Sequence, residues 1–144
     1  MKHYAFGAIG VIGSFLANLF GGWDLALQTL IIFMITDYVT GLIVAGVFNK
    51  STKTENGALE SKAGWKGLCR KVTTLLYILI AAQIDKLLGT GDTIRNAVAI
   101  GYIANEALSI LENGGLMGIP YPKKLKDAIS VLKGKAEGDQ NGTD

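Results

Sequence analysis

Apolar residues run almost unbroken through four stretches of this chain, 4–20, 25–48, 68–88 and 93–111, and polar residues gather in the gaps between them. A bilayer's hydrocarbon core is about 30 Å thick and a helix rises about 1.5 Å per residue, so about 20 residues are needed to cross it. All four stretches approach or exceed that length, which predicts four transmembrane helices. The turns 21–24 and 89–92 are too short for anything but helical hairpins, whereas 49–67 is a longer loop of mixed charge. Ser61 is a plausible amino cap for a short helix running into the third span. Beyond the fourth span Gly114, Gly115 and Gly118 break the helix, and Pro120 and Pro122 delay its resumption. Leu125, Ala128, Ile129 and Leu132 then recur at helical spacing opposite Lys123, Lys124, Lys126 and Lys133, the pattern of an amphipathic helix lying on a membrane surface. The expected fold is all-α: an integral membrane domain over 1–119 built as two hairpins, an amphipathic juxtamembrane helix over 120–136, and a polar, disordered tail over 137–144.

Charge orients this arrangement. Lys2, Lys50, Lys53, Lys62, Lys66, Arg70 and Lys71 flank the ends of the hairpins that include the chain's start and the middle loop, and Lys123, Lys124, Lys126, Lys133 and Lys135 follow the last span. Only Lys86 and Arg95 lie near the two tight turns. The positive-inside rule therefore puts both termini and the loop 49–67 in the cytoplasm of a multi-pass protein of a bacterial cytoplasmic membrane, with the turns outside. Tyr4, Trp23, Trp65 and Tyr121 fall near proposed span ends, where amphipathic rings prefer the headgroup level. No small-x-small cleavage pattern surrounds Ala17, so the first stretch is expected to remain as a span; if it does not cross, three spans with the amino terminus outside are the alternative.

With 49% hydrophobic and 18% charged residues, little of the 144-residue chain is left for a soluble domain. The net charge of +2 sits beside the spans, so anionic headgroups, contacted by Lys62, Lys66, Arg70, Lys71, Lys123, Lys124 and Lys126, are a better counter-charge than nucleic acid. Cys69 is the only cysteine and His3 the only histidine. These exclude an internal disulfide and a thiolate metal site, and with no phosphate loop or nucleophile elbow the expectation is no enzyme, no cofactor and no metal.

The exceptions to apolarity inside the spans carry the functional signal. Asp37 falls near the middle of the second span, where an acid costs roughly 2.5–3.5 kcal/mol, offset by about a dozen Leu, Ile, Val and Phe at roughly 0.3–0.6 kcal/mol each. Thr40, Gly41 and Ala45 continue its stripe at three, four and eight positions. In the fourth span Tyr102, Asn105, Glu106, Ser109, Glu112 and Asn113 make a second polar side. Such stripes either line a water-filled path or join helices. No basic residue is expected at the depth of Asp37 or Glu106. Gly7, Gly10 and Gly13 clear one face of the first span for close helix packing, as do Gly41 and Ala45 in the second, although glycine is also simply common in membrane helices.

Asp37-Tyr38-Val39-Thr40-Gly41, Ser61-Lys62-x-Gly64-x-x-Gly67, and Asn105-Glu106-x-x-Ser109-x-x-Glu112-Asn113 followed by Gly118-x-Pro120-x-Pro122 resemble, in that order, the toxin-secretion and phage-lysis holins of Gram-positive phages and prophages. The resemblance runs from about 37 to 132. It implies a protein that oligomerises in the host membrane and permeabilises it, so that a separately encoded endolysin or a toxin reaches the wall or exterior, with an antiholin as a further partner. Asp37, Gly41, Asn105, Glu106 and Glu112 are the positions that the resemblance marks as structural or gating. Two other readings stand beside it: an antiholin or immunity-type membrane protein, and a four-helix proton-coupled exporter, for which Tyr102 is a sparse aromatic set.

Overall fold

The computed structural model describes residues 1–138, and over these the chain is helical with no strand. Helix α1 spans Lys2–Leu19 and α2 spans Leu25–Ile43, continuing as a π-helical turn, Val44–Phe48; α3 spans Ser61–Leu88, α4 Thr93–Leu116 and α5 Lys123–Gly138. The second apolar stretch thus forms as expected but ends in a wider turn, a feature that often marks functional positions in helices.

Local chemistry sets most boundaries. Asp24 caps α2, its carboxylate accepting from the Leu27 amide at 3.0 Å. Ser61 is not a cap: Glu60 occupies that position without a side-chain hydrogen bond, and Ser61 is the first residue of a single 28-residue helix. The expected short helix and third span are therefore one element. Gly114 and Gly115 do not break α4 either, because an α-helix tolerates glycine at a modest cost. The reversal comes at Gly118, at φ +82°, after the Met117 and Ile119 amides have bonded back to Asn113 and Gly114.

The core lies between α2 and α4 and is closed on one side by α3. Leu27, Leu30 and Met34 of α2 meet Ile78 of α3 and Ala99 and Ile103 of α4. Alanines at the α4 contact let backbones approach, which suits helices that associate through van der Waals packing. Helix α1 stands apart with no buried residue; Gln83 donates to the Leu19 carbonyl at 2.7 Å and Lys86 to that of Asn18 at 2.6 Å. A Cβ at Gly7, Gly10 or Gly13 would meet nothing within 4 Å, so within one chain this strip packs on no other helix.

Helix α5 differs from expectation in place more than in pattern. It is longer at its far end, reaching Gly138, so 137 and 138 are helical and the remainder of the expected tail, 139–144, lies outside the described residues. Its apolar stripe is already covered: Ile129 is buried against Ala104 and Ala107 of α4, with Leu132 beside them and Leu108, Leu111 and Phe33 around them. Burying one such isoleucine stabilises by about 1.5–3 kcal/mol, which explains why an amphipathic helix without another apolar surface folds back on its neighbour. Two helices among the described residues, Leu25–Phe48 and Ser61–Leu88, are long and apolar enough to cross a membrane by length and composition.

Candidate functional site

At the end of the bundle nearest the loop 49–60, α2, α3 and α4 each contribute one charged side chain to a single cluster. Lys71 Nζ lies 2.7 Å from Asp37 Oδ2 and 2.6 Å from Glu106 Oε2, bridging two carboxylates with one ammonium. The expectation that no cation reaches these acids is corrected: Lys71, assigned from the sequence to lipid headgroups, turns inward and its side chain is only 14% exposed. Lysines near helix ends usually extend toward water, but here two acids within reach outweigh that tendency. The geometry follows from the helix lengths. Asp37 precedes the end of its helix at Phe48 by nearly as many residues as Lys71 follows the start of α3 at Ser61, so a hairpin brings them to one level.

Asn113 completes the cluster. Its Nδ2 donates to Asp37 Oδ1 at 3.0 Å, to the Asp37 carbonyl at 3.3 Å and to Thr40 Oγ1 at 2.9 Å, binding α4 to α2. Thr40 in turn donates to the Thr36 carbonyl at 2.8 Å. A Cβ on Gly41 would stand 3.8 Å from Asn113 Nδ2, an ordinary contact, and Ala45 is buried. The glycines of the Ser61–Gly67 motif face α2: Tyr38 donates to the Gly64 carbonyl at 3.3 Å, and a Cβ at Gly64 would lie 3.4 Å from that hydroxyl. A cavity of about 190 Å³ opens beside the loop and reaches Asp37, Lys71 and Glu106, with Tyr38, Gly41 and Arg70 also in its wall.

The other sequence candidates lie around this cluster or away from it. Ser109 is half-buried on the same side of α4, whereas Asn105 and Glu112 are exposed. Lys62, Lys66 and Arg70 on α3 and Lys123, Lys124 and Lys126 on α5 are exposed, as headgroup contacts require.

A second polar cluster, not foreseen from the sequence, ties together the two tight turns at the opposite end. Arg95 is fully buried and its guanidinium spends all five N–H donors. Two go to Asp24, at 2.5 and 3.0 Å, and the others to the carbonyls of Phe20 (2.8 Å) and Gly22 (3.2 Å) and to Asn96 Oδ1 (3.0 Å). Asp85 of α3 receives the Ile94 and Arg95 amides at 3.1 and 2.7 Å and the Thr90 hydroxyl at 2.5 Å, so it caps the first turn of α4 from a neighbouring helix. Gly21, at φ +83°, lets the turn pass beside Arg95, since a Cβ there would sit 3.4 Å from Nε and 3.2 Å from Asp92 Oδ1. The Arg95 guanidinium, the largest influence on Asp24, holds its carboxyl below the usual carboxylate range. The sequence places Arg95 only as a cation near a tight turn; Asp24 and Asp85, two acids at the same end, are the signal that it has partners.

Among the described residues no group of His, Cys, Asp and Glu is arranged to hold a metal. The profile of the bacteriophage holin family matches residues 14–134. The chain belongs to the bacteriophage holin family. Among relatives, an uncharacterized protein of Listeria monocytogenes is 40% identical over 96% of this chain and 93% of its own length. An uncharacterized 14.9 kDa protein of Clostridium perfringens is 38% identical over 86% of this chain and 89% of its own length. A protein of Bacillus phage phi105 named as a probable holin is 31% identical over 79% of this chain and 77% of its own. No solved structure matches the chain. The holin-family match includes the Lys71 cluster, the Arg95 cluster and most of α5, and holin-family membership together with the two apolar helices supports a non-enzymatic protein of the membrane.

Proposed function

We propose that this protein is a holin that assembles in the bacterial cytoplasmic membrane and opens lesions through which an endolysin, or a toxin, leaves the cytoplasm. In this reading α1 to α4 cross the bilayer as two hairpins, both termini and the loop 49–60 are cytoplasmic, and the Arg95 cluster faces outward. The observation that carries the reading is Lys71 set between Asp37 and Glu106 at the foot of a cavity beside the loop. One cation against two carboxylates is a costly arrangement at membrane depth, and such groups are retained where polarity serves a path or a switch.

Assembly would use the faces that a single chain leaves uncovered, above all Gly7, Gly10 and Gly13 of α1. Reorganisation of the Lys71 cluster would then turn Asp37, Thr40, Glu106 and Ser109 toward the lesion and keep it wet, with Asn105 and Glu112 extending the polar face. A charge moved across the membrane potential is worth about 2.3 kcal/mol per 100 mV, so partial movement of these groups couples opening to membrane energisation. No residue performs covalent chemistry.

Inducible expression in bacteria with and without a cytosolic cell-wall hydrolase tests this directly, with membrane potential and culture turbidity followed together. Depolarisation alone, but rapid lysis when the hydrolase is present, is the expected result. Neither depolarisation nor lysis, with the protein verified in the membrane, would contradict it and favour an antiholin.

A further inference from the structure

Helix α5 is held to the rest of the molecule by one narrow apolar stripe. Ile129 is buried, Leu132 and Ala136 are half-buried, and every other described residue of α5 is exposed. Its five lysines form no ion pair among the described residues, and Asp127 and Glu137 are its only acids, so the outward face is strongly basic. The stripe runs antiparallel along α4: Ile129 meets Ala104 and Ala107, and Ala136 Cβ lies 3.6 Å from where a Cβ on Gly101 would be. Gly101 is roughly four turns from the end of α4 at Leu116. On the proposed four-span arrangement, on which this inference rests, Gly101 lies near the middle of a span. Docked α5 would carry Lys133 and Lys135 to that depth, where exposed ammonium groups are heavily penalised.

Docking of α5 on α4 and passage of α4 through the bilayer therefore exclude one another. We propose that α5 is a displaceable clasp on α4, and that anionic phospholipid headgroups are the partner that removes it. The two alternatives compete for one surface, because the stripe that seats α5 on α4 is the stripe an amphipathic helix inserts into the headgroup boundary. Only the anionic membrane also satisfies the lysines, and clusters of this kind bind such lipids. At the start of α5, Tyr121 with Lys126 Nζ 6.0 Å from its ring centroid sets an amphipathic ring beside a cation, a pairing suited to the headgroup level. The docked form is thus a form in which α4 has not yet crossed the membrane, and release of α5 is a step that precedes lesion assembly.

The 3.6 Å separation suits a disulfide, so full-length protein carrying Cys69→Ala, Gly101→Cys and Ala136→Cys reports the docked state. In neutral detergent mild oxidation should cross-link it efficiently. Reconstitution into phosphatidylglycerol vesicles before oxidation should give a several-fold loss of cross-linked product, and phosphatidylcholine vesicles a much smaller one. Equal yields in detergent and in phosphatidylglycerol would overturn the clasp, and equal losses in both lipids would overturn the headgroup assignment. Spin labels at Asn105 and Lys133, both exposed, read the same separation without a bond and guard against a variant that fails to fold; a distance unchanged by phosphatidylglycerol would again overturn the clasp. Dye release separates the two proposals. Protein oxidised before reconstitution should release none and recover on reduction, whereas release by the fully cross-linked form would overturn the clasp. Absence of release from reduced protein, with the cross-link loss retained, would remove the lesion reading and leave the clasp supported.

Discussion

The two charge clusters of this bundle each set one cation among two acids, and they are built to opposite specifications. Around Arg95 every guanidinium proton has an acceptor, Asp85 takes three donors, and the partners are turn backbone and side chains in equal measure. Around Lys71 one ammonium serves two carboxylates on two different helices, beside a cavity. A saturated network fixes one geometry, because any movement leaves a buried group unpaired. One ammonium shared between carboxylates on two helices has more than one way to distribute its contacts. The first is a clamp that makes the two hairpins one body, and in the proposed function the second is the part that moves.

The largest effect should come from breaking the clamp. Arg95→Met strands two turn carbonyls and leaves the part-exposed Asp24 to water, and we expect a loss of about 2–4 kcal/mol, seen as poor accumulation and easy unfolding of the purified protein. Adding Asp24→Asn should restore little, since Phe20 and Gly22 would still lack their donor. The neutral triple replacement Lys71→Met, Asp37→Asn, Glu106→Gln should behave differently. Buried ion pairs are often replaced by neutral groups at no net cost, so this variant should accumulate like the parent while its lysis time shifts; equal destabilisation at both ends would erase the distinction.

Smaller effects sharpen the comparison. Gly21→Ala forces an L side chain into a left-handed conformation and should cost about 1–2 kcal/mol, measured by unfolding, without changing the order of depolarisation and lysis. Asn113→Ala removes the bridge between Asp37 and Thr40 and should cost about 1 kcal/mol while shifting lysis timing more than Gly21→Ala does. Asp24 adds a pH dependence. Its carboxyl is held below its ordinary value in the folded state, so its stabilising contribution is present above about pH 4 and is lost as pH falls through the lowered folded value. Acid unfolding curves of the parent and Asp24→Asn should therefore converge at low pH.

Most of the helical layout was legible because hydrophobic periodicity and turn residues act locally. The apolar second and third stretches, the reversal around Gly118 and the amphipathic pattern of α5 all follow from neighbours in sequence. Two kinds of feature were not. Lys71 was assigned to headgroups because a lysine at a span entrance ordinarily reaches outward, and only the level shared by Asp37 and Glu106 across three helices reverses that. The covering of α5 by α4 depends on which apolar surface is available, a choice that the pattern of α5 does not contain. Arg95 is a similar case, since apart from Asn96 beside it all its acceptors, two backbone carbonyls and the Asp24 carboxylate, lie in the first tight turn, far away in sequence.

The most direct test of the account is lysis timing in Asp37→Asn and Glu106→Gln, each compared with the parent at equal membrane levels and with a cytosolic hydrolase present. If redistribution of the Lys71 contacts controls opening, both substitutions should move the moment of depolarisation and lysis together. Depolarisation and lysis at the parental time in both variants would contradict a gating role for this cluster.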